Sequence, residues 1–362
     1  MLKQLEILNA RYLQARFVSR PLMFNKPSGT SRGVLTEKPC WYLIVTDEEG
    51  NAGIGECGPI WGLSLEQPDT YEQELIRICD LINDFPLVFE DAQLNLFPSI
   101  RFGLETALLD LATGSRQQPY PSPFTEGADG MRINGLIWMG TRENMLAQIN
   151  EKLKNGFRCL KLKIGAIDWS TEQEILGGIR EHYPPEQLEL RVDANGAFNS
   201  SEALQKLMQL SNFQIHSIEQ PIQPGQWNVM AELCRSSPIP IALDEELIGV
   251  YGATQAQLLD TIKPQYLILK PSLLGGIEVC EQWIKLADER NIGWWVTSML
   301  ESNVGLNTIA QWTYTLNNPM PQGLGTGQLY KNNLPSPLYL NGEYIKYNPA
   351  EDWDLDVILG QR

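Results

Sequence analysis

Short apolar runs recur along the last two thirds of the chain, and their regular spacing limits the fold more than any other feature. Their centres lie 25 to 31 residues apart, near Ile133, Leu160, Arg191, Ser217, Ala242, Ile268, Trp295 and Gly323. Helical patterns separate several of them; Met145, Ile149 and Leu153, for instance, share one helical face. A strand and a helix repeated eight times predict an α/β fold of the (β/α)8, TIM-type class, with a doubly wound open sheet as the alternative.

The eighth run is the least strand-like of the set, because residues 322–327 contain three glycines. The barrel is therefore expected to be modified at this position.

The first third of the chain predicts a smaller α+β domain. Residues 3–19 and 39–60 resemble strands, and residues 66–85 and 99–114 have a helical pattern. The polar stretch from Asn25 to Gly33 is rich in turn residues, so it is interpreted as a mobile loop that serves either as a simple connection or as a flap over an active site.

These patterns predict the domain organisation. We expect an α+β capping domain over residues 1–118 and a barrel catalytic domain over residues 119–329. The C-terminal segment, residues 330–362, carries a further apolar-polar alternation and is expected to pack back on the first domain.

Charge and cysteine content exclude several classes of protein. With 28 basic and 44 acidic residues the formal net charge is -16, and no strongly basic face is evident, so nucleic acid is not an expected partner. The six cysteines form no Cys-x-x-Cys pair, which favours reduced thiols over disulfides or a zinc ribbon. Neither a signal-peptide core nor a membrane-spanning run is present, so the expected location is the cytoplasm, with no membrane partner.

Two lysines end the second barrel strand. In Leu160-Lys161-Leu162-Lys163, alternation along the strand sends the leucines to one side and both lysines to the other. If the leucines face the helices, both ammonium groups point into the barrel, where burial is costly unless carboxylates or a substrate compensate the charge.

Carboxylates end the next three strands at matching positions. Asp193, Glu219 and Asp244 are separated by 26 residues (193 to 219) and 25 residues (219 to 244), which agrees with the strand repeat and places them around one point. Three oxygen ligands with room for water and a substrate carboxylate suit Mg²⁺, whereas only two histidines in the chain make a histidine-rich zinc site improbable.

Lys270 ends the sixth strand, again 26 residues after Asp244, and is expected across the barrel mouth from Lys163. A single charged residue at a strand end is more often part of a structural ion pair than a catalytic group. Six such residues in phase with the repeat favour a functional site.

This set of residues resembles the enolase superfamily, in its muconate-lactonizing subgroup, where Lys-x-Lys, Asp-x-Asn, Glu, Asp and Lys end successive barrel strands. The resemblance implies that Asp193, Glu219 and Asp244 bind Mg²⁺, with Mn²⁺ as the expected substitute. It also implies three catalytic lysines: Lys163 as the base, Lys270 opposite it, and Lys161 as a neighbouring charge that disfavours a proton on Lys163. Members of the superfamily pair such a base with Mg²⁺, which stabilises an enediolate intermediate.

Residues 298–306, Ser-Met-Leu-Glu-Ser-Asn-Val-Gly-Leu, are similar to a Ser-x-x-Glu-Ser-x-x-Gly-Leu stretch of the o-succinylbenzoate synthases of menaquinone biosynthesis. This resemblance implies a hydro-lyase that converts 2-succinyl-6-hydroxy-2,4-cyclohexadiene-1-carboxylate into 2-succinylbenzoate and water. The expected partner is thus a small-molecule carboxylate, and the sequence does not reveal whether the chain forms homo-oligomers. The residues expected to bind substrate are Asn195, Ser298, Glu301, Ser302 and Gly323.

Three alternatives remain open on the sequence. Two opposed lysines also suit a racemase or epimerase of the same subgroup, acting on N-acylamino acids or dipeptides. Dipeptide epimerases usually carry an Asp-x-Asp at the eighth strand end, and residues 323–327 contain no acid. A barrel aldolase using Lys163 or Lys270 as a Schiff-base nucleophile belongs to another class, and a non-catalytic binding barrel is the most distant alternative.

Overall fold

The computed structural model describes residues 5–30, 33–165 and 167–360. The N-terminal part is built on an antiparallel sheet of strand order β1-β4-β5 and a separate β2-β3 hairpin. The strands are β1 (Leu13–Ser19), β2 (Leu22–Thr30), β3 (Gly33–Lys38), β4 (Trp41–Asp47) and β5 (Ala52–Cys57). The helices are α1 (Pro68–Asp80), α2 (Phe85–Glu90) and α3 (Pro98–Ala112).

Helix α3 lies directly against β5, because a small residue at the contact lets the two backbones approach. A Cβ atom at Gly55 would collide with the carbonyl oxygen of Gly103 in α3. Every residue from Pro98 to Leu111 is buried. This helix connects the sheet of the capping domain to the rest of the molecule.

Two predictions for the first domain are wrong in part. The strand expected over residues 3–19 begins only at Leu13, since Glu6–Leu8 form a 3₁₀ turn; residues 3 and 4 lie outside the described residues. The stretch expected to be a loop lies mostly in the β2-β3 hairpin, and only residues 31 and 32 fall outside the described part. Pro27, which cannot donate a ladder hydrogen bond, falls where the hairpin register shifts, so its presence is compatible with pairing on either side.

The second part is a parallel sheet of seven strands in the order β13-β12-β11-β10-β9-β8-β7. These strands are β7 (Gly135–Ile137), β8 (Cys159–Lys163), β9 (Glu189–Asp193), β10 (Ser217–Glu219), β11 (Ile241–Leu243), β12 (Tyr266–Leu269) and β13 (Gly293–Val296). The accompanying helices are α4 (Arg142–Lys154), α5 (Trp169–His182), α6 (Ala203–Leu210), α7 (Trp227–Ser236), α8 (Ala253–Ile262), α9 (Pro271–Leu274), α10 (Ile277–Asp288) and α11 (Asn303–Thr315).

The eighth position closes the barrel without forming a regular strand. Gln322 makes an isolated parallel bridge to Ile133 on one edge, and Gly323 makes another to Thr297 on the other edge. The predicted barrel with a capping domain is therefore confirmed, and the open-sheet alternative is excluded because both sheet edges meet the same segment.

The C-terminal segment contacts both parts of the molecule. Strands β14 (Leu338–Asn341) and β15 (Tyr344–Tyr347) form a small antiparallel sheet with β6 (Gly130–Arg132), which precedes the barrel. Tyr330 instead packs edge-on against Phe24 of the hairpin, with ring centroids 4.8 Å apart. The last helix, α12 (Asp356–Leu359), is tied to β1, since Arg16 donates to the carbonyl oxygen of Leu359.

The main core lies between the outward-facing side chains of the barrel strands and the surrounding helices. Leu160 and Leu162 of β8 belong to it, together with Ile175 and Leu176 of α5. None of the helices in the described ranges is both long enough and apolar enough to cross a bilayer.

Candidate active site

The lysines of β8 point into the barrel, as strand alternation requires when the leucines face the core. Lys161 is 5% exposed, and Lys163 is only half-buried because it lies nearer the mouth. Both ammonium groups meet the carboxylate of Asp193, which ends β9; the distances from Nζ to Oδ2 are 2.9 Å for Lys161 and 3.1 Å for Lys163. The inward charge that the sequence predicts is thus compensated by the neighbouring strand.

The next strands extend this network of opposite charges. Lys161 Nζ also donates to Oε2 of Glu219 at 2.5 Å, so it bridges the carboxylates that end β9 and β10. Lys270, which follows β12, donates to Oδ2 of Asp244 at the end of β11. The structure therefore brings together all six charged residues that the strand repeat predicts.

Burial and neighbouring charges both shift the pKa values of these groups. Burial alone would lower the pKa of Lys161, but the carboxylates of Asp193 and Glu219 outweigh it and hold the pKa above its ordinary value. Burial and the nearby Asp193 raise the pKa of Glu219. For Asp193, the three lysines overcome the effect of burial and keep the pKa low. Lys161 and Asp193 are thus charged at neutral pH.

The three strand-end carboxylates have the chemistry that a hard divalent cation prefers. Over residues 5–30, 33–165 and 167–360, no three acidic, histidine or cysteine side chains converge into a metal-binding group, and lysine ammonium groups lie against the carboxylates of Asp193 and Asp244. One oxygen still lacks a partner: Oε1 of Glu219 is fully buried and has no hydrogen-bond donor in the described part of the chain. A buried acceptor of this kind is compensated by a cation or a donor, so the residues fit Mg²⁺.

A cavity lies directly above this network, between the barrel and the capping domain. Its polar wall includes the three lysines and four of the other residues singled out above: Lys161, Lys163, Lys270, Asp193, Asn195, Ser298 and Gly323. Its apolar wall comes partly from the capping domain, with Leu35 of the hairpin and Ile60, Trp61 and Leu63 after β5. Such a mixed lining suits a small molecule that has both a charged group and an apolar part.

Glu301 and Ser302 do not line this cavity but lie behind its wall. Glu301 is 1% exposed and accepts hydrogen bonds from the Ser298 hydroxyl at 2.5 Å and from the backbone N–H of Met299 at 3.0 Å. Ser302 is fully buried and caps helix α11, since its hydroxyl accepts from the N–H of Val304. In this structure the two residues shape the segment that carries Ser298.

Leu300, in the same segment, has a backbone conformation that side-chain-bearing residues rarely adopt. Its φ is +58°, and its side chain lines the cavity. The conformation is held from both sides: the Ser298 hydroxyl accepts from the Leu300 N–H at 2.9 Å, and the Tyr330 hydroxyl donates to the Leu300 carbonyl at 2.6 Å. Backbone strain of this kind persists only where the surroundings enforce it, and it concentrates at functional sites.

Glu245 is a cavity residue that sequence reasoning missed. It lines the cavity beside Lys270 and accepts a hydrogen bond from the side-chain amide of Asn195 at 3.0 Å. The sequence signal for this residue was the pair of adjacent acidic residues, Asp244 and Glu245. Side chains alternate along an ideal strand, so only one of the two would point into the barrel. The chain turns into a 3₁₀ helix over Glu245–Leu247, and this turn brings the second carboxylate to the site.

Gly323 lies so close to Thr297 that it cannot carry a side chain in this arrangement. A Cβ at position 323 would collide with the hydroxyl oxygen of Thr297. The cavity wall at the eighth strand position is therefore bare backbone.

Comparisons with known proteins agree with this geometry. Residues 144–347 match the family model described as enolase C-terminal domain-like. The o-succinylbenzoate synthase of Desulfotalea psychrophila is 50% identical over 351 residues, which cover 89% of this chain and 95% of that protein. The crystal structure of MenC from Desulfotalea psychrophila has a TM-score of 0.81 and 46% identity, covering 92% of this chain and 99% of that chain.

A more distant solved structure shares the fold. The dipeptide epimerase of Cytophaga hutchinsonii, complexed with Mg and the dipeptide D-Ala-L-Val, has a TM-score of 0.79 at 20% identity, covering 97% of this chain and 98% of that chain.

Proposed function

This chain belongs to the enolase superfamily, and on that premise we propose that it catalyses the o-succinylbenzoate synthase reaction of menaquinone biosynthesis. The reaction is the dehydration of 2-succinyl-6-hydroxy-2,4-cyclohexadiene-1-carboxylate to 2-succinylbenzoate. The observation that carries the proposal is the 50% identity to a synthase across nearly the whole of both chains. The site supports it, because the cavity joins inward lysines, strand-end carboxylates and an apolar wall.

In the proposed mechanism, Lys163 handles the proton. Its amine takes the proton α to the substrate carboxylate, and the electrons of the broken C–H bond move toward that carboxylate to form an enediolate. The returning electrons expel the ring hydroxyl, which takes the proton from Lys163 and leaves as water. Both proton transfers occur on one face of the ring, so a single base suffices.

The other charged groups hold the substrate and its developing charge. Lys270 directly follows β12, which is four strands from β8 in an eight-position barrel, so it faces Lys163 across the cavity and contributes a cation over the ring. Lys161 keeps a fixed positive charge beside the base. Asp193, Glu219 and Asp244 would hold Mg²⁺, or Mn²⁺ in its place, and the bound cation would stabilise negative charge on the substrate carboxylate.

Asn195, Ser298 and Gly323 contact the substrate in this proposal, since they line the cavity. Glu301 and Ser302 act on the substrate only through the wall that they support. We place the protein in the cytoplasm, because all six cysteines are free and five of them are buried, as reduced thiols in that compartment are.

Racemisation of N-acylamino acids or epimerisation of dipeptides is the second candidate. The opposed placement of Lys163 and Lys270 favours it, because a racemase needs one proton-transfer group on each face of the carbon. The bare backbone at Gly323 argues against a dipeptide substrate, whose ammonium group would need an acid there.

The deciding experiment is an assay of the purified protein with Mg²⁺. We expect dehydration of the cyclohexadiene substrate with a kcat/KM of roughly 10⁴ M⁻¹s⁻¹ or more. Efficient racemisation of N-succinylamino acids or dipeptides without detectable dehydration would overturn the proposal and favour the second candidate. Trapping of substrate by borohydride would point instead to a Schiff-base lysine.

A further inference from the structure

We propose that Glu245 is a positioning residue that fixes the orientation of the Asn195 amide and, through it, the place of the Lys163 amine. The proposal deepens the proposed function and rests on its assignment of Lys163 as the base. Glu245 contacts Asn195, and Asn195 contacts the base, so in this proposal Glu245 acts on the base indirectly.

Two hydrogen bonds connect the three side chains. Lys163 Nζ donates to Oδ1 of Asn195 at 2.8 Å, and Nδ2 of Asn195 donates to Oε1 of Glu245 at 3.0 Å. The three residues come from the ends of β8, β9 and β11, so the connection spans a wide arc of the barrel mouth. All three line the cavity.

The chemistry of the end groups determines the orientation of the amide between them. A lysine ammonium group can only donate, and a glutamate side chain offers acceptor oxygens, whereas an asparagine amide has one accepting and one donating end. Only one orientation of Asn195 therefore satisfies both neighbours. Its backbone is fixed as well, with φ at +43° and its N–H donating to Oδ1 of Asp193 at 3.0 Å.

Loss of the acceptor at position 245 would release this constraint. The Asn195 amide could then rotate by half a turn and present its NH₂ group to Lys163, so that two donors would face each other whenever Lys163 is protonated. Lys163 would keep its contact with Asp193 alone, 3.1 Å away, and its amine would no longer be held from two directions.

Two variants distinguish the effect of the acceptor oxygen at position 245 from the effect of side-chain volume. Glu245→Gln keeps an acceptor oxygen and should retain most of the wild-type kcat. Glu245→Leu has a similar volume without an acceptor; we expect kcat to fall roughly 10- to 100-fold, as a misplaced catalytic group causes, with KM within about twofold. Equal kcat in the two variants would overturn the proposal.

A double-mutant cycle tests whether the effect runs through Asn195. Asn195→Ala should lower kcat at least as much as Glu245→Leu, because it also removes a substrate contact, and the double variant should lose no more than Asn195→Ala alone. Glu246 provides the matched control: it is the adjacent buried carboxylate, but it accepts from Gln220 and the N–H of Gly225, not from Asn195. The loss of kcat in Glu246→Leu should add to the loss in Asn195→Ala when the two are combined. If the loss of kcat in Glu245→Leu also added to the loss in Asn195→Ala, the proposal would be contradicted.

Crystal structures of the two Glu245 variants give a readout that needs no turnover. The contact of Lys163 Nζ with Asn195 should persist near 2.8 Å in Glu245→Gln and lengthen or vanish in Glu245→Leu. An unchanged contact in Glu245→Leu would overturn the proposal. If the wild-type protein fails to dehydrate the cyclohexadiene, the proposed function fails, and these structures still decide the role of Glu245.

Discussion

Glu56 and Ser302 are joined by two hydrogen bonds across the interface between the capping domain and the barrel. Oε1 of Glu56 accepts from the Ser302 N–H at 2.8 Å, and Oε2 accepts from the Ser302 hydroxyl at 2.6 Å. Oε2 also accepts from the N–H of Gly305 at 2.9 Å, so a carboxylate of one domain caps a helix of the other, where the helix dipole favours negative charge. The only cation within ion-pair distance in the described ranges is Lys38, itself 1% exposed and 3.8 Å from Oε1.

Removal of this carboxylate should therefore destabilise the whole molecule. Glu56→Ala leaves Lys38 buried without its counter-charge, and we expect the free energy of unfolding to fall by about 3–5 kcal/mol. Urea denaturation measures the loss. The double variant Lys38→Met/Glu56→Gln is the control and should recover part of the stability, because no buried charge remains unpaired. A loss below about 1 kcal/mol in Glu56→Ala would show that the cap contributes little.

Removal of a proposed Mg²⁺ ligand should reduce the stabilisation by Mg²⁺ while the fold persists. Addition of Mg²⁺ should raise the Tm of the wild-type protein, because a ligand bound only by the folded state stabilises it. Asp193→Asn and Glu219→Gln should weaken Mg²⁺ binding by more than about tenfold, since each removes a negatively charged oxygen ligand. Calorimetric titration gives the affinities and circular dichroism checks the fold. Full turnover in excess chelator would refute the metal assignment.

The two lysines should differ in their effect on proton exchange. In a dehydration by one base, Lys163→Ala abolishes both turnover and exchange of the substrate α-proton in deuterated water, a loss of at least about 10²-fold. Lys270→Ala should lower turnover by removing a cation while some exchange at Lys163 remains. Mass spectrometry of recovered substrate follows the deuterium. If each variant instead retains exchange with one enantiomer of an N-acylamino acid, the site works as a racemase.

The backbone strain at Leu300 should be measurable as a difference in stability between two variants that remove its side chain. Both Leu300→Gly and Leu300→Ala remove the side chain from the cavity wall and should raise KM for the substrate. Only glycine adopts a positive φ without steric cost, so Leu300→Gly should be the more stable variant by about 1 kcal/mol. Thermal denaturation measures the stability of both variants. If Leu300→Gly were less stable than Leu300→Ala, the interpretation of Leu300 as strained would be wrong.

Mild acid should destabilise the protein through His216. Burial lowers the pKa of this side chain, the carboxylate of Glu189 opposes the shift, and Arg191 adds to it. The folded state then binds fewer protons than the unfolded one, so the free energy of unfolding falls as pH drops below about 6.5. His216→Gln should weaken that dependence. His182, the second histidine, is exposed and provides the control. If His182→Gln weakened the pH dependence of the free energy of unfolding as much as His216→Gln, a specific role for His216 would be excluded.

The charged site was predictable because it depends on two periodicities that are visible in the sequence. Strand alternation places Lys161 and Lys163 on one side, and the strand repeat places Asp193 at their level. The contacts that support the site were not predictable in this way. Glu56 meets Ser302 across 246 positions of sequence, and no local pattern reveals such a pair.

The errors in the capping domain have a similar cause. The stretch from Asn25 to Gly33 has the composition of a loop, yet its described residues, 25–30 and 33, lie in a hairpin that tertiary contacts stabilise. Phe24 packs on Tyr330, and the backbone of Gly29 bridges to Met139 of the barrel. Turn propensity is weak compared with such contacts.

The collision between position 323 and Thr297 restricts the evolutionary routes that lead away from this site. An acidic residue at 323, the kind of group that would bind a substrate ammonium, cannot enter while Thr297 holds its hydroxyl against the glycine. Thr297 must turn its hydroxyl away or be replaced, and neither change brings a benefit for the new substrate by itself. A lineage that begins from this sequence thus needs a compensating change at Thr297 in addition to the acid before position 323 could bind an ammonium group.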